Sequence, residues 1–196
     1  MADLCVRIPV CSVGVYIKAG SRQDTLETSG TANLLTKMLL RGSQGASKAQ
    51  LSEEIEGMGA RINANTDREI TNFNLTCFKG DLSRAISLLG DAISNPTLDA
   101  AELELTKMEQ ARENESANKD QERTTIEASH FNSFRDHMMG QPIRGDADNL
   151  QNLSQHMLAA YKAANYTGEN IVIVGTGGVE HDAFVGQVSE AFGAIQ

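Results

Sequence analysis

Three polar side chains stand at helical spacing in the otherwise largely apolar segment of residues 30–43, GTANLLTKMLLRGS. Asn33, Thr36 and Lys37 occupy positions i, i+3 and i+4, so one side of a helix presents all three. Two imidazoles and a glutamate in this arrangement would bind zinc and activate its bound water. Here, however, Asn is a poor zinc ligand, Thr cannot act as a general base, and Lys repels a divalent cation. The segment therefore predicts a metal-site helix without the metal-site chemistry.

The four histidines do not supply another metal site. His130 and His137 are seven residues apart and share a helix face, but no carboxylate or cysteine at ligand spacing accompanies them. His156 and His181 have no partner in the sequence, and we predict structural or surface roles for all four. Three glutamates in the polar segment of residues 97–139 are interpreted as a solvated helix face: Glu115, Glu122 and Glu127.

The cysteines are too few for a disulfide scaffold and too scattered for a zinc knuckle: Cys5, Cys11 and Cys77. The spacing of Cys5 and Cys11 is compatible with half of a metal site. The simpler interpretation is that all three are buried or half-buried thiols in strands. Free thiols indicate a reducing compartment, either the cytosol or the mitochondrial matrix.

Composition narrows the classes of function. The chain has 196 residues, 40% of them hydrophobic and 22% charged, which is typical of a globular protein with one domain over residues 1–196. A net charge of -9 without a Lys/Arg-rich block argues against nucleic-acid binding. The apolar runs are too short to span a bilayer. The first residues, MADLCVRIPV, are neither a secretory signal nor a transit peptide, so we expect a mature chain or another import route.

Periodicity gives the order of the elements. Alternation predicts strands over residues 12–19, 60–65 and about 70–78, and the apolar run at 170–176 predicts a strand buried on both faces. Helical spacing predicts helices at about 47–58, 81–94, 154–164 and 182–192, besides the one that begins after a cap at Thr28 or Ser29. Residues 97–139 predict long polar surface helices, and 140–149 a loop. The expected fold is α+β, with a mixed, mostly antiparallel sheet and helices mainly on one face.

Several segments together resemble one protein family. Residues 30–38, GTANLLTKM, resemble the G-x-A-H-x-x-E-H-M frame of the pitrilysin/insulinase-type metallopeptidases. Residues 13–22, VGVYIKAGSR, and 58–73, MGARINANTDREITNF, are similar to the strand and the hairpin that flank that frame. With LLRGS at 39–43 and later segments at 140–149 and 174–181, the resemblance covers nearly the whole chain. It points to the mitochondrial branch of processing-peptidase beta subunits and complex III core proteins.

The resemblance assigns roles that the residues do not fulfil. Asn33 and Lys37 stand at the two histidine ligand positions and Thr36 at the general-base position, while gapless counting puts the distal carboxylate at Glu113. With these residues at its functional positions, the resemblance implies no peptidase activity by the family mechanism, no metal and no cofactor. We hypothesise that the Lys37 ammonium offsets Glu113 in place of the ion. The alternative is that both side chains point to solvent, and a separation above about 6 Å would contradict the hypothesis.

The resemblance also implies the kind of assembly. The preferred expectation is a non-catalytic structural core-type subunit of mitochondrial complex III, on the matrix side of the inner membrane. An inactive or regulatory half of a heteromeric processing peptidase, with the zinc site on another chain, is the alternative. A zinc peptidase with unconventional ligands is a third reading. Family subunits carry two homologous halves, so we expect other protein subunits as partners, one of them supplying the second half. The edge strand near residues 61–65 would bind an extended peptide in an active relative, and we expect a partner to cap it here.

Overall fold

Four strands form the sheet of the computed structural model, which describes residues 9–135 and 137–195. They are β1 (Val10–Ile17), β2 (Arg61–Thr66), β3 (Thr71–Phe78) and β4 (Ile171–Gly177), and their order across the sheet is β2-β3-β1-β4. Each neighbouring pair is antiparallel, and Val15 of β1 lies opposite Phe73 of β3 and Ile173 of β4. The described sheet is therefore antiparallel throughout.

Eight α-helices accompany the sheet in the part of the chain that the structure describes. In chain order these are α1 (Thr31–Met38), α2 (Lys48–Gly57), α3 (Leu82–Ser94), α4 (Ala100–Ala117), α5 (Gln121–Ser133), α6 (Ala147–Asn152), α7 (Gln155–Asn165) and α8 (His181–Phe192). The predicted order of strands and helices is confirmed. The short helix α6 was missed, because a six-residue helix between a Pro/Gly-containing turn and Leu153 carries too little periodicity to distinguish it from a loop.

The hydrophobic core lies between the helices and one face of the sheet. Val13, Val15 and Phe73 point toward that side and are fully buried, as strand alternation requires. On the opposite face the outward side chains of the same strands, such as Tyr16 and Phe78, are exposed. The helices of the described residues thus cover one face of the sheet, and the α+β fold class is confirmed.

The strand β4 differs from its prediction. Its residues alternate between half-buried and exposed, and Val172 is 60% exposed although the run IVIVGT is almost wholly apolar. The cause is that Val172 lies opposite Tyr16 of β1, on the face of the sheet that the described helices leave uncovered. An apolar run alone cannot distinguish a strand covered on both faces from one covered on one face.

The polar region after residue 97 forms α4 and α5. Helix α4 contacts the core through a narrow set of side chains, Leu103, Thr106 and Gln110, all of them buried. Helix α5 has no buried residue along its length. Across residues 9–135 and 137–195, no helix is both long enough and apolar enough to cross a membrane.

Candidate functional site

The start of α1 is fixed by a buried carboxylate. Asp24 accepts hydrogen bonds from the backbone N–H of Gly30 (3.0 Å) and of Ala32 (3.2 Å), so it satisfies amide groups that the first turn leaves without partners. Burial raises the pKa of Asp24 to about 7, and the backbone hydrogen bonds lower it only in part. The predicted cap at Thr28 or Ser29 is wrong, because Gly30 occupies the cap position with a φ of 96°.

Helix α1 is tied to the edge strand β2 by two hydroxyl groups. Thr36 donates to the carbonyl of Ala32 (2.8 Å), and its oxygen lies 2.6 Å from the hydroxyl of Thr66. Both threonines are buried. The residue at the general-base position is therefore a packing residue that joins a helix to a strand.

The ion pair hypothesised from the sequence is present. Lys37 Nζ lies 2.7 Å from Glu113 Oε2, well inside the 6 Å bound. The Lys37 side chain is 24% exposed and that of Glu113 is 47% exposed. The same Glu113 oxygen lies 3.9 Å from Arg144 Nη1, so one carboxylate on α4 faces two cations.

The loop that carries Arg144 is held in place by hydrogen bonds from side chains of α4 to its backbone. Gln110, which is fully buried on α4, donates to the Arg144 carbonyl (2.7 Å), and Asn114 donates to the Gly145 carbonyl (3.1 Å). Gly145 has a φ of 68°, and a Cβ there would lie 2.3 Å from the Ser29 carbonyl oxygen. The loop therefore needs glycine at this position in order to pack against the start of α1.

Asn33 is the last of the four predicted site residues, and it lines a cleft of about 420 Å³ between α1, β2 and α4. Its Oδ1 atom is buried and has no hydrogen-bond partner in the described part of the chain. Asn33, Thr36, Lys37 and Glu113 all line this cleft, so the fold brings the four predicted residues together.

The chemistry of these four residues does not fit a catalytic zinc ion. An amide, a hydroxyl and an ammonium stand with a single carboxylate, and that carboxylate already pairs with the ammonium. Nor do residues 9–135 and 137–195 contain three or more His, Cys, Asp or Glu side chains grouped closely enough to hold a metal ion. The arrangement supports charge pairing and hydrogen bonding in the cleft.

A third cation of the cleft, Arg41, is neutralised from α4. Arg41 pairs with Glu102 (3.2 Å) and with Glu109, and Lys48 pairs with Glu102 (3.0 Å). Hydrogen bonding from Lys48 is the main reason that the pKa of Glu102 is lowered. Arg41 therefore contributes little net charge to the cleft.

The two described cysteines and Glu127 have structural explanations. Cys11 and Cys77 are free and buried, with their sulfur atoms 3.7 Å apart on β1 and β3, as predicted; Cys5 lies outside the described residues. Glu127 is not part of a solvated face, because it pairs with the buried Arg68 at 2.7 Å. That pair fastens the end of the β2–β3 hairpin to α5, which no local pattern in the sequence indicates.

Two residues of the cleft, Arg41 and Arg144, were missed. Both are single arginines close to a glycine in irregular segments, LLRGS and PIRGD. Arginine beside glycine is too common in loops to indicate a site. The only signal available was position, since both segments belong to stretches for which the family resemblance was noted.

Comparison with known proteins finds sequence relatives that match nearly the whole chain. The model of one family, described as insulinase (peptidase family M16), matches residues 7–147. The mitochondrial-processing peptidase subunit beta of Homo sapiens is 34% identical over 186 residues, which are 95% of this chain and 38% of that protein. The subunit of the same name from Blastocladiella emersonii is 33% identical over 188 residues, 96% of this chain and 40% of that protein. The chain thus spans about two fifths of the length of these curated relatives.

Solved structures show the same fold at lower identity. A protease from Helicobacter pylori superimposes with a TM-score of 0.89 at 18% identity, covering 97% of this chain and 46% of that one. A peptidase M16 inactive domain from Pseudomonas fluorescens gives a TM-score of 0.88 at 20% identity, covering 96% and 46%. These likenesses establish the architecture.

Proposed function

This chain belongs to the insulinase-type peptidase family M16, and from that premise we propose that it is a non-catalytic structural subunit of a mitochondrial protein assembly. The observation that carries the proposal is the Lys37–Glu113 ion pair of 2.7 Å. An ammonium group occupies the place where the family resemblance puts a ligand and its metal. The cation balances the carboxylate without supplying a Lewis acid or a general base.

The neighbouring residues support the same function. Thr36 is committed to the Thr66 hydroxyl, and Asn33 offers one amide oxygen as its acceptor. Neither can take a proton from water at neutral pH. The scaffold is retained, whereas the groups that would activate water and polarise a peptide carbonyl are not in place.

For the assembly, we propose first a core-type subunit of mitochondrial respiratory complex III, ubiquinol–cytochrome c reductase, on the matrix side of the inner membrane. The basis is the resemblance of the chain to that branch of the family. Its partners would be other protein subunits, among them a chain with a second peptidase-like half. This assignment gives the exposed sheet edge at β2 a protein neighbour.

A second assembly is favoured by the names of the relatives. Those at 33–34% identity are mitochondrial-processing peptidase beta subunits. In that case the chain is an inactive or regulatory half of a heteromeric processing peptidase, and the zinc site lies on another chain. The role of this chain remains non-catalytic in both assemblies.

The test is purification of the native assembly from mitochondria through an affinity tag on this chain. Mass spectrometry identifies the subunits, reduced-minus-oxidised spectra report cytochromes, and cleavage of a presequence peptide reports peptidase activity. Cytochromes in stoichiometric amount support the complex III subunit. Presequence cleavage that needs this chain but is unchanged by Glu113→Gln supports the regulatory half.

One result would overturn the proposal as a whole. Stoichiometric zinc on the isolated chain, together with peptide cleavage that Glu113→Gln abolishes, would identify a peptidase with unconventional ligands. The variant Glu104→Gln is the matched control, because Glu104 lies on the same helix and its partner is Lys107 at 2.7 Å.

A further inference from the structure

The sheet holds two thiols in contact near one of its ends. Cys11 of β1 and Cys77 of β3 lie directly opposite each other in the antiparallel pair, and their sulfur atoms are 3.7 Å apart. Both side chains are buried on the core side of the sheet. Neither of them lines the cleft beside α1, so the function proposed above leaves this pair of nucleophilic groups unused.

The backbone holds the two cysteines at a separation that suits a disulfide. The Lys79 backbone N–H donates to the Pro9 carbonyl at 2.8 Å, two positions along the ladder from the cysteines. Hydrogen-bonded and non-hydrogen-bonded pairs alternate along an antiparallel ladder, so Cys11 and Cys77 form a hydrogen-bonded pair as well. The Cα atoms of such a pair are about 5.5 Å apart, inside the range of about 4.4–6.8 Å over which disulfides occur. An S–S bond of about 2.05 Å therefore requires the side chains to move and leaves the strand register unchanged.

The pair lies one residue from the end of both strands. Strand β1 begins at Val10 and β3 ends at Phe78, and both of these side chains are exposed. On the other side of Cys11, the residue opposite it on β4 is Gly177, which has no side chain. Strand ends open more readily than strand centres, because fewer contacts must break. A small oxidant therefore reaches the thiols when this end of the sheet opens, without unfolding of the core.

The closed pair resists oxidation, and the open pair does not. Burial is the main cause that raises the pKa of the Cys77 thiol to about 12, and the neighbouring Cys11 thiol and Asp81 carboxylate raise it further. Oxidants react with the thiolate, so the first step waits for local opening. Hydrogen peroxide needs less space beside the sulfur than an alkylating reagent does. After one sulfur has reacted, the other is held next to it, and proximity favours the bond between them.

We propose that Cys11 and Cys77 are an oxidation site at which hydrogen peroxide converts two free thiols into a disulfide between β1 and β3. One thiolate attacks a peroxide oxygen, the O–O bond breaks, and the sulfur becomes a sulfenic acid while hydroxide leaves and takes up the thiol proton. The second thiol attacks the sulfenic sulfur, forms the S–S bond and releases water. The two thiols lose two electrons and two protons, and the peroxide becomes two water molecules.

The disulfide cross-links the two central strands of the described sheet, whose order is β2-β3-β1-β4. The two cysteines are 66 residues apart in the chain. A cross-link over a loop of this length removes conformational entropy from the unfolded chain, so the oxidised chain is harder to unfold. A dithiol reductant reverses the reaction by thiol–disulfide exchange. In the reducing compartment predicted from the sequence, peroxide would thus raise the stability of the scaffold reversibly.

The experiment treats the folded chain with hydrogen peroxide in native buffer, alkylates the remaining thiols in urea and digests the chain without reductant. Trypsin places the three cysteines in different peptides, residues 1–7, 8–18 and 69–79. We expect the main linked product to join 8–18 to 69–79. The urea midpoint should rise by about 1 M and return after dithiothreitol. Linkage through 1–7, or sulfinic acids in place of linkage, would overturn the proposal.

A second pair of thiols on the same strands is the matched control. Ser12 and Thr76 are the next register pair, with their hydroxyl oxygens 2.6 Å apart on the face of the sheet that the described helices leave uncovered. The control chain carries Ser12→Cys and Thr76→Cys in a background of Cys11→Ala and Cys77→Ala. This exposed pair should link about tenfold or more faster than the buried pair, because it does not wait for opening. Linkage of the control pair alone would show that burial excludes the oxidant, which would overturn the proposal.

Two further comparisons test the consequence for stability. The single variants Cys11→Ala and Cys77→Ala should each abolish the linked peptide and the rise of the urea midpoint, and circular dichroism verifies that each variant is folded. A rise that persists in either variant would assign the effect to other oxidised residues, such as the seven methionines, and contradict the cross-link. A link between Cys11 and Cys77 that forms only in denaturing urea would likewise overturn the proposal.

Discussion

Lys37 on α1 and Glu113 on α4 are 76 residues apart in the chain and 2.7 Å apart in space. The pair joins two of the helices that line the cleft, and Arg144 shares the same carboxylate oxygen at 3.9 Å. A cation supplied by the chain itself thus faces the carboxylate that a metal-binding relative would use for its ion. In the non-catalytic function proposed above, this pair takes the place of the metal site.

We predict a modest, salt-dependent coupling energy for this pair. A double-mutant cycle with Lys37→Met and Glu113→Gln, measured by urea unfolding, should give about 0.2–1 kcal/mol, because Glu113 is 47% exposed and water screens the charges. The Arg84–Glu54 pair, at 3.1 Å and similarly exposed, is the reference cycle. A coupling above about 2 kcal/mol would contradict the prediction and indicate a desolvated pair.

Restoring the family residues should restore zinc binding. The triple variant Asn33→His, Thr36→Glu, Lys37→His places two imidazoles at i and i+4 facing Glu113, which supplies a third ligand. Isothermal titration calorimetry should show zinc binding that the further change Glu113→Gln weakens, whereas Lys37→His alone should bind no zinc. Absence of any gain in the triple variant would mean that the cleft no longer accommodates the ion.

The Thr36–Thr66 contact should contribute to stability. Thr36→Val keeps the shape of the side chain but removes a buried hydrogen bond of 2.6 Å, so the free energy of unfolding should fall by about 1 kcal/mol. Thr125→Val is the control, because Thr125 lies on the exposed helix α5 and its hydroxyl donates to the Gln121 carbonyl of the same helix. A loss no larger than that of the control would contradict a structural role for Thr36.

Asp24 should make stability depend on pH. Its pKa is about 7 in the folded chain against an ordinary value of 3.8, so the folded state binds more protons between these values. The contribution of Asp24 to the free energy of unfolding is therefore fully present below about pH 4 and is lost as the pH rises through 7. That loss is at most on the order of 4 kcal/mol.

The variant Asp24→Asn isolates this dependence, since an amide does not titrate. Urea unfolding at about pH 5 and about pH 8 should show that the stability of the wild-type chain relative to the variant falls with rising pH. A difference that is constant or rises with pH would mean that the hydrogen bonds from Gly30 and Ala32 keep the carboxylate ionised.

Cys77 should resist thiol reagents in the folded chain. Its side chain is buried against Cys11, and burial raises the pKa of the Cys77 thiol to about 12, so little thiolate exists at neutral pH. Peptide mapping after iodoacetamide treatment should find Cys77 modified in urea and unmodified in native buffer. Rapid labelling of Cys77 in native buffer would contradict the burial of this side chain beside Cys11.

The elements nearest the site were accessible from periodicity and turn residues. Strand β1 alternates in residue type, the β2–β3 hairpin is short, and α1 carries a compact apolar face, so local propensity and tertiary packing agree there. Even the ion pair followed from the family resemblance and gapless counting. By contrast, Asp24, Arg144 and Glu127 act through partners in other elements, and no local pattern distinguishes them from surface polar residues.

The sequence by itself determined the family scaffold and the residue types at the positions that the family resemblance assigns to metal ligands. Both are properties of single positions and short spacings, which a chain displays before it folds. Only the tertiary structure decided that β4 is exposed on one face, that Asp24 rather than a local hydroxyl caps α1, and that Arg144 joins Lys37 around one carboxylate. Each of these depends on which distant backbones approach one another, and that is set by the packing of the whole core.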